Sequence, residues 1–386
     1  MASERAYLDF NASAPLLSEA RAAMVDALSA ANPSSVHAEG RAARRVVEEA
    51  RSSIAALVNG RTGHVVFTSG ATEAASTLLT PEWRLGRSRL AVSRLYVTAA
   101  DHPCMLSGGR FQPDRVTHLG VGGDGVVDLA ALRRVLSDHV RSEGLPLVGV
   151  HAANNETGVV QPVAAVAELV KEAGGILVVD AVQAAGRLPI DMADGYADFV
   201  ILSAHKLGGP KGMGAIVGAG DLMMPSPLVT GGGQERGHRS GTENVAAITG
   251  FGAAARVAAD DLARMGDVSA RRAVIERAIH DLAPDAEVFG ADVQRLPNTT
   301  FFAIPGIKAE TMQIAFDLAG VAVSAGSACS SGRVGPSHVL KAMGRGDDAS
   351  ALRVSIGAST TDADVERFRA ALAGIAGRRG ARNRAA

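Results

Sequence analysis

The residue with most chemistry to offer is Lys206, in "SAHKLGGPKG", placed after an apolar stretch and before a glycine turn. A lysine held away from water becomes a nucleophile able to form a Schiff base. Ser203 and His205 beside it are hydrogen-bonding types suited to a phosphate. The plain alternative is an exposed loop lysine. Asp180 closes the apolar run of "VVDAVQ". A carboxylate there needs a partner or a proton. A protonated pyridine nitrogen would serve, as in pyridoxal phosphate sites, and so would the role of a helix cap. "TSGATEA" sets Ser69 and Thr72 at a helix start, where backbone N–H groups attract anions or are simply capped. No Walker-type glycine–lysine signature is present, which argues against a nucleoside triphosphate.

Three further positions complete the set. His102, in "ADHPC", is able to stack on an aromatic ring and to move protons near neutral pH. Cys104, two residues on, reads as a passive buried thiol. Arg353, in the apolar "LRVSIG", suits a two-pronged grip on a carboxylate, or else a structural ion pair. Cys329 lies in "SAGSACSSGRVG", among small residues that mark a mobile loop, although cysteine usually prefers burial.

These residues need elements to hold them. "HVVFTSGATEAASTLL" reads as strand, glycine turn, helix, and the same grammar recurs through "PLVGVHAANNETG", "ILVVDAVQAAG" and "ADFVILSAHKLGG". Alternating strands and helices of these lengths predict a doubly wound, mainly parallel sheet. Ligands in such sheets sit beyond the carboxyl ends of the strands. Thr72, His102, Asn155, Asp180, Ser203, His205 and Lys206 all fall just after strands. From about Arg256 the pattern changes to a smaller α+β arrangement. The expected division is a large unit over 15–260 and a small unit formed by 1–14 and 261–386, the latter carrying the cysteine loop. The arginine-rich tail "GRRGARNRAA" reads as a frayed, solvated end.

Bulk composition narrows the function classes. A net charge of −1 gives no sign of nucleic-acid or membrane partners. Two cysteines cannot build a disulfide framework, so a reducing, cytoplasmic setting is expected. "MASERAYLDF" lacks the apolar stretch of a secretory signal. No metal ligand set is expected.

Taken in order, "NPSSVHAEGRAAR", "FTSGATEA", "NNETGVVQP", "VVDAVQAAGRLPID", "SAHKLGGPKGMGA", "GGGQERGHRSGTEN" and "SAGSACSSGRVGPSHVLKAMG" resemble the signature segments of the bacterial cysteine desulfurases. These enzymes are of the iron–sulfur-cluster and nitrogen-fixation type, in the class V branch of the pyridoxal-phosphate aminotransferase fold. The likeness runs from about Tyr7 to Gly357. It implies a fold-type I α/β enzyme whose large domain holds a mainly parallel seven-stranded sheet flanked by helices, with a small α+β domain.

The resemblance also assigns roles. Lys206 would bind pyridoxal 5'-phosphate covalently. Asp180 would pair with its ring nitrogen, and His102 would stack on the ring. Gln183 and Asn155 would hydrogen-bond the ring oxygen, while Thr72, Ser203 and His205 would bind the phosphate. Thr242 would reach the phosphate of a neighbouring subunit in a homodimer. Arg353, with Asn155, would hold the carboxylate of L-cysteine, and Cys329 would accept its sulfur. Sulfur-acceptor proteins, such as an iron–sulfur scaffold, would be the partners. Ala14 stands where the family usually has threonine, and Asp101 where it has glutamate. A class V aminotransferase, a selenocysteine lyase and a non-catalytic scaffold are the competing readings. Cys329 speaks against the first. The intact set of Lys206, Asp180, His102, Arg353 and Cys329 speaks against the last.

Overall fold

Strands that are buried along their whole length dictate the architecture. Ile176–Asp180, Phe199–Ser203 and Gly214–Gly218 expose none of their residues. A strand of that kind needs cover on both faces. In the computed structural model, which describes residues 5–325, 336–346 and 349–385, helices supply it. Across the main sheet the order is Val116–Leu119, Ser88–Thr98, Leu145–His151, Ile176–Asp180, Phe199–Ser203, Gly214–Gly218 and Val65–Thr68. Within that run Gly214–Gly218 is antiparallel to both neighbours. The expected seven strands are therefore present, together with two more. Glu82–Leu85 forms a hairpin with the start of Ser88–Thr98 and pairs in turn with Met223–Pro225, giving nine strands in all.

Helix Val245–Asp261 lies against Ala38–Leu57 and Ser18–Ala27. The approach is close enough to require glycine. A Cβ at Gly252 would come within 2.5 Å of Ala50 Cα, and one at Gly250 within 2.5 Å of Met24 Cγ.

The later part of the chain forms a four-stranded antiparallel sheet in the order Glu287–Val288, Thr299–Ala303, Leu352–Ser355, Ser324–Ala325. Ala6–Tyr7 comes from the other end of the sequence to pair with Val321–Ala322. Leu8, Phe302, Phe316 and Phe368 fill this core. The last helix, Asp362–Ala385, runs through the tail read as frayed. That stretch has no proline and is rich in alanine and arginine, both good helix formers. Among the described residues no helix is long and apolar enough to cross a membrane.

Candidate active site

The site is built where strand pairing brings distant turns together. Thr68 and Ser203 both pair with Gly214, from opposite sides. The turn leading into helix Ala71–Leu78 therefore lies beside the turn carrying Ala204–Lys206. Gly214 must be glycine, because a Cβ there would sit 2.6 Å from the Gly70 carbonyl carbon. On the next strands, Asp180 stands opposite both His151 and Ile201.

These strand ends enclose a cavity of about 390 Å³. It gathers eight of the residues singled out from the sequence: Thr72, His102, Asn155, Asp180, Gln183, Ser203, His205 and Lys206. Thr242 is exposed, ahead of helix Val245–Asp261, and is not among the lining residues. Arg353 is buried on Leu352–Ser355. It reaches the rim by donating from Nη1 to the Asn155 carbonyl (2.8 Å), while Nη2 pairs with Asp9 (2.8 Å). Both readings of Arg353 thus find a basis, an ion pair and a place beside the site. Cys329 lies outside the described residues.

Each group is held by bonds that fix its chemistry. Lys206 Nζ donates to the carbonyls of Asn11 (2.6 Å) and Ala12 (2.9 Å). Burial pushes the Asp180 carboxyl up to about 6, and the nearby Asp101 adds to this; the Val182 N–H, His151 and Lys206 pull the other way. A carboxylate so placed gains from a cationic partner. His102 accepts the Cys104 backbone N–H at Nδ1 (3.2 Å), which leaves its ring proton on Nε2. Burial lowers His102 to about 4, helped by Lys206 and His338 and opposed by Asp101, so it is neutral near pH 7. His205 is lowered to about 4 by burial, then by Lys206 and Lys211. The Cys104 thiol is free and buried, and burial pushes it well up, consistent with a passive role.

Four residues of this neighbourhood carried no readable signal. Asn11 is a hub whose carbonyl accepts from Lys206 and from Gln183 Nε2 (3.0 Å), while its side chain bonds Thr299 and Asn298. Arg187 is buried and donates to Gln183 Oε1 (2.8 Å) and to the Lys206 carbonyl (3.4 Å). With Gln183 Oε1 so occupied, its NH2 group is turned toward Asn11 and the cavity. Glu156 accepts from Ser337 Oγ at 2.5 Å, and burial raises it to about 7. His151 lines the cavity floor.

The donor set fits pyridoxal phosphate. The cavity lining offers an amine at Lys206, a buried carboxylate at Asp180, an imidazole at His102, and hydroxyl and helix-start N–H donors around Thr72. The cavity also has the size of a cofactor site. The sequence matches the family model for aminotransferase class-V over residues 6–368. A cysteine desulfurase of Frankia sp. (strain EuIK1) is 40% identical over 380 residues, covering 93% of this chain and 88% of the relative. The structure of a NifS-like protein from Rickettsia africae ESF-5 matches with a TM-score of 0.86 at 30% identity, over 96% of this chain and 99% of that one. One described as SspA in complex with cysteine matches with a TM-score of 0.74 at 28% identity, over 92% and 99%. This chain belongs to the class-V aminotransferase family, whose members depend on pyridoxal phosphate, and within it to the cysteine desulfurases.

Proposed function

We propose that this protein converts L-cysteine to L-alanine and passes the sulfur, through a persulfide on Cys329, to acceptor proteins for iron–sulfur cluster or thio-cofactor synthesis. The observation that carries the reading is the convergence of Lys206, Asp180 and His102 on one cavity, in a chain of the cysteine desulfurase family. Bound pyridoxal phosphate supplies an electron sink that loosens bonds to the substrate Cα and Cβ. Lys206 Nζ would anchor the group and, as a free amine, would move protons at the substrate carbon. Asp180 holds the proton on the ring nitrogen. Thr72, Ser203 and His205 bind the phosphate, with Ser69 at the same turn. Gln183, oriented by Arg187, and Asn155 face the ring oxygen. Neutral His102 stacks on the ring and offers its Nε2 proton.

Arg353, already bonded to Asn155, orients the substrate carboxylate. The Cys329 thiolate attacks the substrate sulfur and the C–S bond breaks. One sulfur atom is thereby moved, leaving alanine and a persulfide with no outside oxidant. Thr242, exposed and away from its own cavity, serves the phosphate of a second subunit in a homodimer. The cofactor-bearing unit is 15–260, and 1–14 with 261–386 form the smaller unit; the pairing of Ala6–Tyr7 with Val321–Ala322 supports that division.

The test compares the purified protein with two variants. Cys329→Ser is expected to keep the visible band of lysine-bound cofactor and to lose sulfide release from L-cysteine. Lys206→Ala is expected to lose the band. Full desulfurase activity in Cys329→Ser would refute the assignment of the sulfur acceptor.

A further inference from the structure

Behind Asp180 lies a row of polar side chains that the reaction above does not use. Asp101, His151 and Gln161 are 0%, 3% and 3% exposed. Their proton positions follow from their bonds. Gln161 Oε1 accepts the Val127 N–H (2.9 Å) and Gln161 Nε2 donates to the Gly125 carbonyl (2.9 Å), which settles the end that carries nitrogen. The same Nε2 lies 3.1 Å from His151 Nε2. A ring nitrogen that faces an N–H must offer its lone pair, so His151 Nε2 is bare. The single ring proton is then on Nδ1, bonded to Asp101 Oδ1.

Asp101 is met by donors only. Oδ1 also accepts the His151 backbone N–H (2.9 Å), and Oδ2 accepts the Thr98 N–H (2.7 Å). That is the environment of a carboxylate rather than a carboxylic acid. Its charge is not cancelled, because the imidazole beside it carries one proton and not two. His151 stands directly opposite Asp180 in register and shares the cavity wall with it. Among the described residues, the other titratable groups that face this corner are Asp180, Lys206, His102, Cys104 and His338, whose Nε2 lies 2.9 Å from the Asp101 carbonyl.

We propose that His151 is a positioning residue. Held by Gln161 with its ring proton on Nδ1, it preserves Asp101 as a second buried negative charge behind Asp180, and the two together retain the proton on a cationic ring nitrogen bound in the cavity. The tautomer stands on this chain's own bonds, and only the last step rests on the cofactor reading above. The device also gives a reason for pairing an aspartate at position 101 with a histidine at 151.

The first measurement is the ring ¹⁵N spectrum of the histidines in the full-length protein, with His151 assigned by its disappearance in His151→Gln. A protonated Nδ1 and a bare Nε2 are expected. The second uses holoprotein carrying cofactor labelled with ¹⁵N at the ring nitrogen. Asp101→Asn removes the second buried charge, while its Oδ1 still accepts from His151 Nδ1. The pH at which the ring nitrogen loses its proton is then expected to fall by about one unit. His151→Gln supplies an amide donor to Asp101 and a carbonyl acceptor to Gln161, and is expected to keep the native midpoint. A proton on Nε2 in the native protein overturns the proposal, as does an unmoved midpoint in Asp101→Asn. A chain that takes up no cofactor defeats the functional reading instead, and the first spectrum still decides the tautomer.

Discussion

Two buried arginines show how the scaffold and the site treat charge differently. Arg51, on helix Ala38–Leu57, meets Glu235 through two bonds of 2.6 and 2.8 Å, adds Glu48 and the Val65 carbonyl, and lies over the Phe67 ring. Burial opposes its charge most strongly of any single influence, but Glu235 and Glu48 together outweigh it and raise the guanidinium. Arg187, bonded to the cavity-lining Gln183, has no carboxylate partner among the described residues and bonds to neutral carbonyl and amide oxygens. Burial, with the charge of Arg353, lowers it to about 10. The scaffold matches its charges internally. Near the site Arg187, held by neutral oxygens, shares a neighbourhood with Lys206 and with Arg353, itself paired with Asp9, a setting suited to anionic groups that arrive from outside.

The largest test of that contrast is Arg51→Leu. It strands Glu235 in the interior and is expected to cost about 3–5 kcal/mol in urea unfolding; a loss below about 1 kcal/mol would mean the pair is not structural. Arg187→Met strands no carboxylate. Its stability cost is expected to be smaller, about 1–3 kcal/mol for the oxygens left unbonded. Its larger signature is cofactor affinity, which should weaken about tenfold as Gln183 loses its orientation. Equal cofactor affinity in the variant and the native protein would break the comparison.

The pH dependence of apo-protein stability is a finer probe. Folded His102 and His205, at about 4, refuse protons that the unfolded chain takes up below about 6.5, so their contribution falls as pH falls through that window. Folded Asp180, at about 6, and Glu156, at about 7, keep protons that the unfolded chain has lost, so their contribution falls as pH rises. The two trends overlap and oppose, and a shallow Tm profile is expected between about pH 4.5 and 6. Glu156→Gln removes one opposing member, and Tm should then climb with pH across that range; an unchanged profile would show that Glu156 does not hold its proton. The smallest effect is expected from Ser337→Ala. This change removes the cap of His338–Ala342, whose Oγ accepts the Leu340 N–H and donates to Glu156. Thermal unfolding should register about 1 kcal/mol.

What could be read in advance follows from locality. Val65–Thr68, Leu145–His151, Ile176–Asp180 and Phe199–Ser203 were legible because each is a short apolar run closed by a turn, and residues just past those turns line the cavity; Val116–Leu119 and Gly214–Gly218 were covered only by the seven strands that the resemblance implies. The Glu82–Leu85 hairpin was missed because it is a short, mostly exposed strand carrying Glu82 and Arg84, joined to Ser88–Thr98 by a tight turn at Gly86, with no apolar run to mark it. Asn11 and Arg187 act through partners far along the chain or through neutral acceptors, and neither leaves a spacing signature. His151 looked like one more residue of an apolar strand. Its meaning depends on Asp101, which is 50 residues away in sequence.

Asn11 carries a consequence for the timing of synthesis. Its backbone N–H is bonded to Ser355 Oγ and its side chain to Asn298 and Thr299, and its carbonyl receives Lys206. Ser355 follows residue 11 by 344 positions, so the seat of the lysine stays unfinished for roughly 17–70 s of elongation after Asn11 is made. A nascent chain can complete its main sheet in that interval and still present no finished site. The Lys206 amine thereby gains its final partners only after Ser355 has been made.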